Sequence, residues 1–400
     1  MMRKPISLLF AGILLSSLLG TANVGASGSL TVILVSDNPA DSALANYIAN
    51  LTGAVVVVTP WGLYDPNVSA RVIGAEPDQV IIIGGPDAVP EPYEEDLKEL
   101  NITVTRWWGE NRYETNIAVI GNATLLLRIR FQNSLVVAPG NDSAAIEKAL
   151  KEAIKVHGII IFANNSTDPL RIVARFGSTP ESVTIVETPL SAKLAEKLRE
   201  RIERRSNIRT RNVGVNITKE MALKAIEDAN KTISLAEKLL SNASNNESGM
   251  VGGRNLVLSR FLMKAELTLE RAQKAYDEGN YGKAYGLATA ARAQVEPLIK
   301  LYSKEWMGEM EKDPKLLYGF TLYRIEFKLK LLERAGIEDP VLQELVDQLK
   351  GAIQRGEYDL VPSLLQRIRE RLLWDFISNR GKIREKVYLP VGGKHNHWKP

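Results

Sequence analysis

From Leu30 to Arg204 short β-branched runs alternate with amphipathic stretches, and after Asn216 the β-branched runs stop. This change of period constrains the fold more than any other feature, because a strand repeats its faces every two residues and a helix about every 3.6. Leu30–Val35, Ala54–Val58, Val80–Ile83, Ile102–Arg106, Leu135–Ala138, Gly158–Ala163 and Val183–Val186 are expected as strands. Those that are apolar throughout belong in a sheet covered on both faces, as parallel strands joined by helices are. Between them, Asp41–Leu51, Asn111–Leu127, Ser143–Val156 and Pro189–Arg204 are expected as helices.

The strand-rich half echoes itself. Ser36-Asp-Asn-Pro-Ala-Asp41-Ser-Ala and Ala138-Pro-Gly-Asn-Asp142-Ser-Ala each follow a strand and precede a helix and a further apolar strand. The pattern implies an α/β fold over 27–205: a Rossmann-like parallel-sheet repeat module with one complete and one partial repeat. A linker over 206–217 is then followed by an all-α region over 218–380, an antiparallel helical bundle or short solenoid, and by a flexible tail over 381–400. Helices are expected from Thr218 to about Leu240 and near Asn255–Glu278, Tyr281–Tyr302, Leu316–Ala335, Pro340–Arg355 and Leu360–Ser378. Tyr276-Asp-Glu-Gly-Asn-Tyr281 and Ile353-Gln-Arg-Gly-Glu-Tyr358 look alike: in each a Gly can end one helix in the left-handed conformation while a Tyr opens the next.

Arg3 and Lys4 precede the apolar run Ile6–Leu19, which closes on the small residues around Val24-Gly25-Ala26. This is the layout of a secretory signal over 1–26; the competing reading, an uncleaved anchor helix, needs about 20 apolar residues. There is no cysteine, so an exported chain of this kind has neither disulfides nor a lipid-bearing cysteine and relies on packing and charge. No later apolar run is long enough to span a membrane. The net charge of +4 is small for 400 residues and does not point to nucleic acid. Eleven of the nineteen Asn between Ser27 and Asn246 begin an Asn-x-Ser/Thr acceptor triplet: Asn50, Asn67, Asn101, Asn122, Asn141, Asn164, Asn165, Asn216, Asn230, Asn242 and Asn246. A random arrangement would give about two or three, so N-glycosylation of a surface protein is expected.

The segment Thr105–Asn116, TRWWGENRYETN, is a strand-to-helix corner: Gly109 allows a tight turn, and Asn111 with Glu114 has the spacing of a capping box. Val80-Ile-Ile-Ile-Gly-Gly-Pro-Asp-Ala-Val89 followed by Arg106-Trp-Trp-Gly-Glu-Asn-Arg-Tyr-Glu-Thr115 resembles the type 2 cell wall-binding repeat. In that family an apolar strand ending in Gly-Gly and an Ala-Val precedes Arg, a Gly-containing turn and Arg-Tyr-x-Thr. Asp41-Ser-Ala-Leu-Ala45 resembles the family's Asp-Ala-Leu-Ala. The resemblance covers about 30–123, weakens over 134–204 and does not reach the helical half. It implies α/β repeats on extracytoplasmic proteins that attach non-covalently to envelope polymers, often anionic ones, usually through three tandem repeats. With one repeat and part of a second, either the module acts alone or self-association into a homo-oligomer rebuilds the missing surfaces.

Arg106 and Arg112 offer guanidinium forks to an anionic sugar or phosphate, and Trp107, Trp108 or Tyr113 offers a stacking face. The competing reading places Arg112 and Glu114 in a structural network and at least one Trp in the core, since adjacent strand residues face opposite ways. Asp41, Asn111, Glu114 and Asp142 are expected as helix caps or pocket edges. Gly84-Gly85-Pro86 lacks a nucleotide-loop pattern and is expected as a packing turn. The basic run Arg199, Arg201, Arg204, Arg205, Arg209 and Arg211 is expected as a solvated helix end, and His395 with His397 is a poor metal site. No cofactor, metal site or catalytic constellation is expected.

The sequence therefore points to a secreted, non-enzymatic envelope protein. Its α/β module binds envelope polysaccharide or a surface-layer protein, and its helices act as spacer or protein-binding element. The alternatives are a surface scaffold with a non-binding α/β module, and an extracytoplasmic small-molecule binder or hydrolase.

Overall fold

The computed structural model describes residues 30–245, 252–310 and 312–387. The first α/β unit runs β1 (Thr31–Ser36), α1 (Pro39–Thr52), β2 (Val55–Thr59), α2 (Pro66–Gly74), β3 (Gln79–Ile83), α3 (Glu91–Glu99) and β4 (Thr103–Trp107). Helix α4 (Arg112–Leu125) leads to the second: β5 (Gln132–Pro139), α5 (Ser143–Val156), β6 (Gly158–Ala163), α6 (Pro169–Ala174), β7 (Ser182–Glu187), α7 (Ala192–Arg205) and β8 (Arg209–Gly214). Each sheet has four parallel strands, in the orders β2-β1-β3-β4 and β6-β5-β7-β8. The second unit, marked only partially in the sequence, thus has the topology of the first.

Its fourth strand comes from the segment expected as a linker. Strand β8 pairs with β7 at the sheet edge, where Arg209, Arg211 and Asn212 are exposed. An edge strand carries charge where an inner strand carries valine, so its sequence does not look like its neighbours'.

Alternation along the strands explains the layers. Ile33, Val35, Ile81 and Ile83 join one core, and Val32, Leu34, Val80 and Ile82 another. Right-handed crossovers put α1 on the first face, and α2 and α3 on the second. The equivalent helices α1 and α5 pack together between the two sheets. Two polar contacts join the units there. Tyr47 of α1 donates to the Gly158 carbonyl. Buried Asn116 of α4 donates to the Ile160 carbonyl at 3.0 Å and accepts from the Phe162 amide at 2.9 Å. The amide side chain gives the edge of β6 the pairing a further strand would give.

Helices α8 (Lys219–Asn245), α9 (Gly252–Asp277) and α10 (Tyr281–Met310) form a three-helix bundle, and α11 (Pro314–Arg334), α12 (Pro340–Arg355), α13 (Val361–Ser378) and α14 (Arg380–Val387) follow. In the bundle Ala222, Ile226, Ala229, Ile233 and Ala236 match Ala284, Ala288, Ala291, Val295 and Leu298 in heptad-like spacing, and the alanines allow close approach. Gly279 and Gly356 end α9 and α12 at φ 76° and 75°, as their turn sequences demand. Tyr276 packs edge-on against Tyr281 with centroids 5.5 Å apart, whereas Tyr358 meets Tyr318 of α11. Helix α14 extends into the stretch expected as a flexible tail, because Ile383 is buried.

The helices do not form one separate body. Helices α11–α14 share a single core with α2, α3 and the outer face of the first sheet. A buried ion cluster pins that junction. Asp96 of α3, 1% exposed, accepts from Arg324 Nε at 2.9 Å, Lys328 Nζ at 2.8 Å, Ser69 Oγ at 2.7 Å and Tyr64 Oη at 2.5 Å. Burial alone would raise its carboxyl, but Lys328 and Arg324 hold it below the usual carboxylate range. Asp96→Ala leaves two buried cations facing each other and is expected to cost about 3–5 kcal/mol in urea unfolding. Glu95→Ala, whose carboxylate is exposed on the rim of the same cluster, should cost less than about 1 kcal/mol.

Candidate functional site

The corner at 105–116 separates its two tryptophans as strand geometry requires. Trp107, 2% exposed, points into the core between the sheets, while Trp108 is 46% exposed. The Trp108 ring lies over Gly85, where a Cβ would come within 2.7 Å of it. Gly109 is equally constrained, since a Cβ there would meet Glu114 Cβ at 2.3 Å. Asn111 caps α4, its Oδ1 accepting from the Tyr113 and Glu114 amides at 3.0 Å each. Glu114 returns the contact one residue early, to the Glu110 amide at 3.1 Å and to Asn111 Nδ2 at 3.2 Å.

Arg106 and Trp107 leave the set of expected polymer contacts. Arg106 is turned inside the fold, with Nε on Glu94 at 3.0 Å and Nη1 on the carbonyls of Gly84 at 3.0 Å and Val89 at 2.9 Å, while its Nη2 is buried without a partner. Arg112 and Tyr113, both half-buried, turn toward the β5–α5 loop. Arg112 Nη1 donates to the Gly140 carbonyl at 3.0 Å, and the Tyr113 ring fills the space a Cβ on Gly140 would need. Of the five, Trp108 alone is exposed.

The two aspartates expected as caps differ. Asn38, not Asp41, caps α1, accepting from the Ala40 amide at 3.0 Å. Asp41 lies inside the first turn, 7% exposed, its Oδ2 3.6 Å from where a Cβ on Gly84 would stand, and its Oδ1 receives no hydrogen bond. Burial pushes its carboxyl up to about 6, with Arg112 opposing the shift. Asp142 does cap α5, accepting from the Ala145 amide at 3.2 Å. It also accepts from Thr188 Oγ1 and Ser191 Oγ, both at 2.6 Å, and from Tyr285 Oη at 3.3 Å. That tyrosine comes from α10 and accepts in turn from the Ala144 amide at 2.8 Å.

Helix α10 therefore lies across the strand ends of both units. At one end Tyr285 fills the second unit's cleft and Gly286 packs on Leu190. Further along, Arg292 acts on Asp37 of the β1–α1 loop, and Lys300 pairs with Asp87 of the β3–α3 loop. These loops flank β1/β3 and β5/β7, the points where strand order reverses and where open α/β sheets bind ligands. No local pattern marks the role of α10, because its contact with Asp142 spans 143 residues.

Seven acceptor Asn are exposed: Asn50, Asn67, Asn101, Asn141, Asn165, Asn216 and Asn230. Asn122 and Asn164 are half-buried, and the Asn164 Oδ1 is occupied by Ser166 and Thr167. The Asn242 side chain, Asn246, the signal segment and His395 with His397 lie outside the described residues. Part of the basic run is internal to the second unit: Arg201 reaches the Asn165 carbonyl, Arg205 pairs with Asp168, and Arg211 meets Glu152 at 2.8 Å. Among the described residues, no group of three or more His, Asp or Glu is placed to hold a metal ion, and no helix is long and apolar enough to cross a membrane.

No family model matches the chain. An uncharacterised protein of Methanocaldococcus jannaschii is 36% identical over 203 residues, which is 48% of this chain and 55% of that one. This chain thus spans about half the length of that relative. The solved structure of Cwp6 from Clostridium difficile is 23% identical over 47% of this chain and 30% of its own, at a TM-score of 0.38. At that TM-score the likeness is too distant to bear on function.

The unpaired Asp41 has a stability consequence. The folded chain holds its proton more tightly than the unfolded chain, whose carboxyl titrates near 3.8. The cost of the charged form is therefore absent below about pH 4, grows as pH rises, and is complete above about pH 6. Asp41→Asn should stabilise the protein at pH 7 by up to about 3 kcal/mol and leave its stability at pH 4 nearly unchanged, measured by urea unfolding at the two pH values.

Proposed function

We propose that the chain is an extracytoplasmic, envelope-associated, non-enzymatic protein that holds a surface polymer through the strand-end corner of its first α/β unit. Trp108 carries this reading. A half-exposed indole laid over a glycine turn at the mouth of a parallel sheet offers the flat apolar face on which sugar rings stack. The resemblance of 30–123 to cell wall-binding repeats, the signal-like N-terminus and the crowded acceptor Asn support the same location and suggest a glycoprotein, in the setting of a cell wall or S-layer. The helices brace the module, and exposed Trp374 and Ile377 on α13 favour a protein partner on that layer.

Sedimentation of the purified full chain with envelopes tests the proposal. The wild-type chain should sediment, and Trp108→Ala should lose retention without a change in its unfolding midpoint. Trp107→Ala should instead lose about 3–5 kcal/mol of stability. Undiminished retention of Trp108→Ala contradicts the proposal.

A further inference from the structure

The two units place the same motif in different company. Asp41-Ser42-Ala43 and Asp142-Ser143-Ala144 occupy equivalent strand ends. In the second unit the β7–α7 loop supplies the hydroxyls of Thr188 and Ser191 to the carboxylate, and α10 adds Tyr285. In the first unit the corresponding β3–α3 loop begins Gly84-Gly85-Pro86, which carries no hydroxyl. Gly84 takes φ 119°, and without a Cβ it leaves room beside Asp41 Oδ2. Here α10 brings Arg292 and Lys300, which meet Glu296 and Asp87. A carboxylate that is more than nine-tenths buried thus keeps an oxygen without a donor, where its counterpart receives three hydroxyls. Buried polar atoms are rarely left so without a reason.

We infer that the cleft between the β1–α1 and β3–α3 loops binds a neutral sugar residue, with Asp41 accepting from its hydroxyls and Trp108 covering its apolar face. Hydroxyls are the donors that the second unit uses at this position, and paired hydroxyls on a ring reproduce Thr188 and Ser191. The site disfavours a phosphate or an acidic sugar, because the charged Asp41 would face it, Arg292 and Lys300 are matched by Asp37 and Asp87 on the two flanking loops, and Arg112 is already engaged with Gly140. Trp108, resting on Gly85 of the same loop, moves with the ligand or stacks at its outer side. The inference rests on the surface-polymer reading and names the chemistry that the polymer offers.

The test titrates the full chain with a panel of neutral hexoses, N-acetylhexosamines and their short oligomers, alongside phosphorylated hexoses, by calorimetry and ligand-observed NMR. The wild-type chain should bind at least one neutral saccharide. Asp41→Asn, folded by circular dichroism, should bind it at least about tenfold more weakly, and wild-type affinity should fall as pH drops below about 6. Ser191→Ala, which alters only the second unit, should bind normally. The inference is overturned if no neutral saccharide binds, if phosphorylated sugars bind in preference, or if Asp41→Asn binds as the wild type does. Envelope sedimentation of the same variant separates the two readings. Retention of Asp41→Asn defeats this site and leaves surface attachment standing, whereas saccharide binding by a wild-type chain that does not sediment supports the site and defeats the attachment.

Discussion

Each sheet is parallel and apolar on both faces, so neither is stable without a helical layer on either side. That requirement organises the molecule. One layer, built around α1, α4 and α5, serves both sheets at once and makes the two units a single core. The outer face of the first sheet receives α2 and α3, of nine residues each, and apolar surface remains on their far side. Helices α11–α14 cover it, which is why the buried Asp96 cluster lies at that junction and why the C-terminal helices continue the first unit's core.

Equal topology has not kept the two strand ends equal in chemistry. From Tyr285 to Lys300 helix α10 advances about 22 Å at 1.5 Å per residue, enough to reach from one unit's loops to the other's. At the second unit it delivers a tyrosine that completes a polar network around Asp142, so that cleft is occupied by the protein itself. At the first it brings Arg292 and Lys300 to the loop aspartates Asp37 and Asp87, and Asp41 stays buried beside Gly84 with an unpaired oxygen. The duplication has thus divided into a copy whose strand-end carboxylate is fully partnered and a copy whose strand-end carboxylate keeps an unpaired oxygen.

Much of this was legible in the sequence. The inner strands were visible as unbroken apolar runs, and α5 and α12 were bounded to the residue by caps and the glycine turn. Short helices α2, α3 and α6 were missed because six to nine residues hold too few turns for a periodic signal. Strand β8 was missed because an exposed edge needs no apolar alternation. At the site, the Asn111 cap followed from local spacing. The fates of Arg106 and Arg112 did not, since their acceptors are carbonyls at Gly84, Val89 and Gly140 that only the folded sheet brings near. Asn116, at the end of the Thr105–Asn116 segment, carries one of the two polar contacts between the units, which local spacing did not show because its partners lie more than 40 residues away on β6.

The difference between the two strand ends rests on one group, the buried Asp41 carboxyl with its unpaired oxygen. The most direct measurement is its titration in the full chain by carboxyl-carbon NMR, assigned by comparison with Asp41→Asn. The structure predicts a midpoint near 6. A midpoint in the ordinary carboxylate range near 4 would mean that Asp41 is solvated or paired, and would contradict the distinction drawn between the two strand ends.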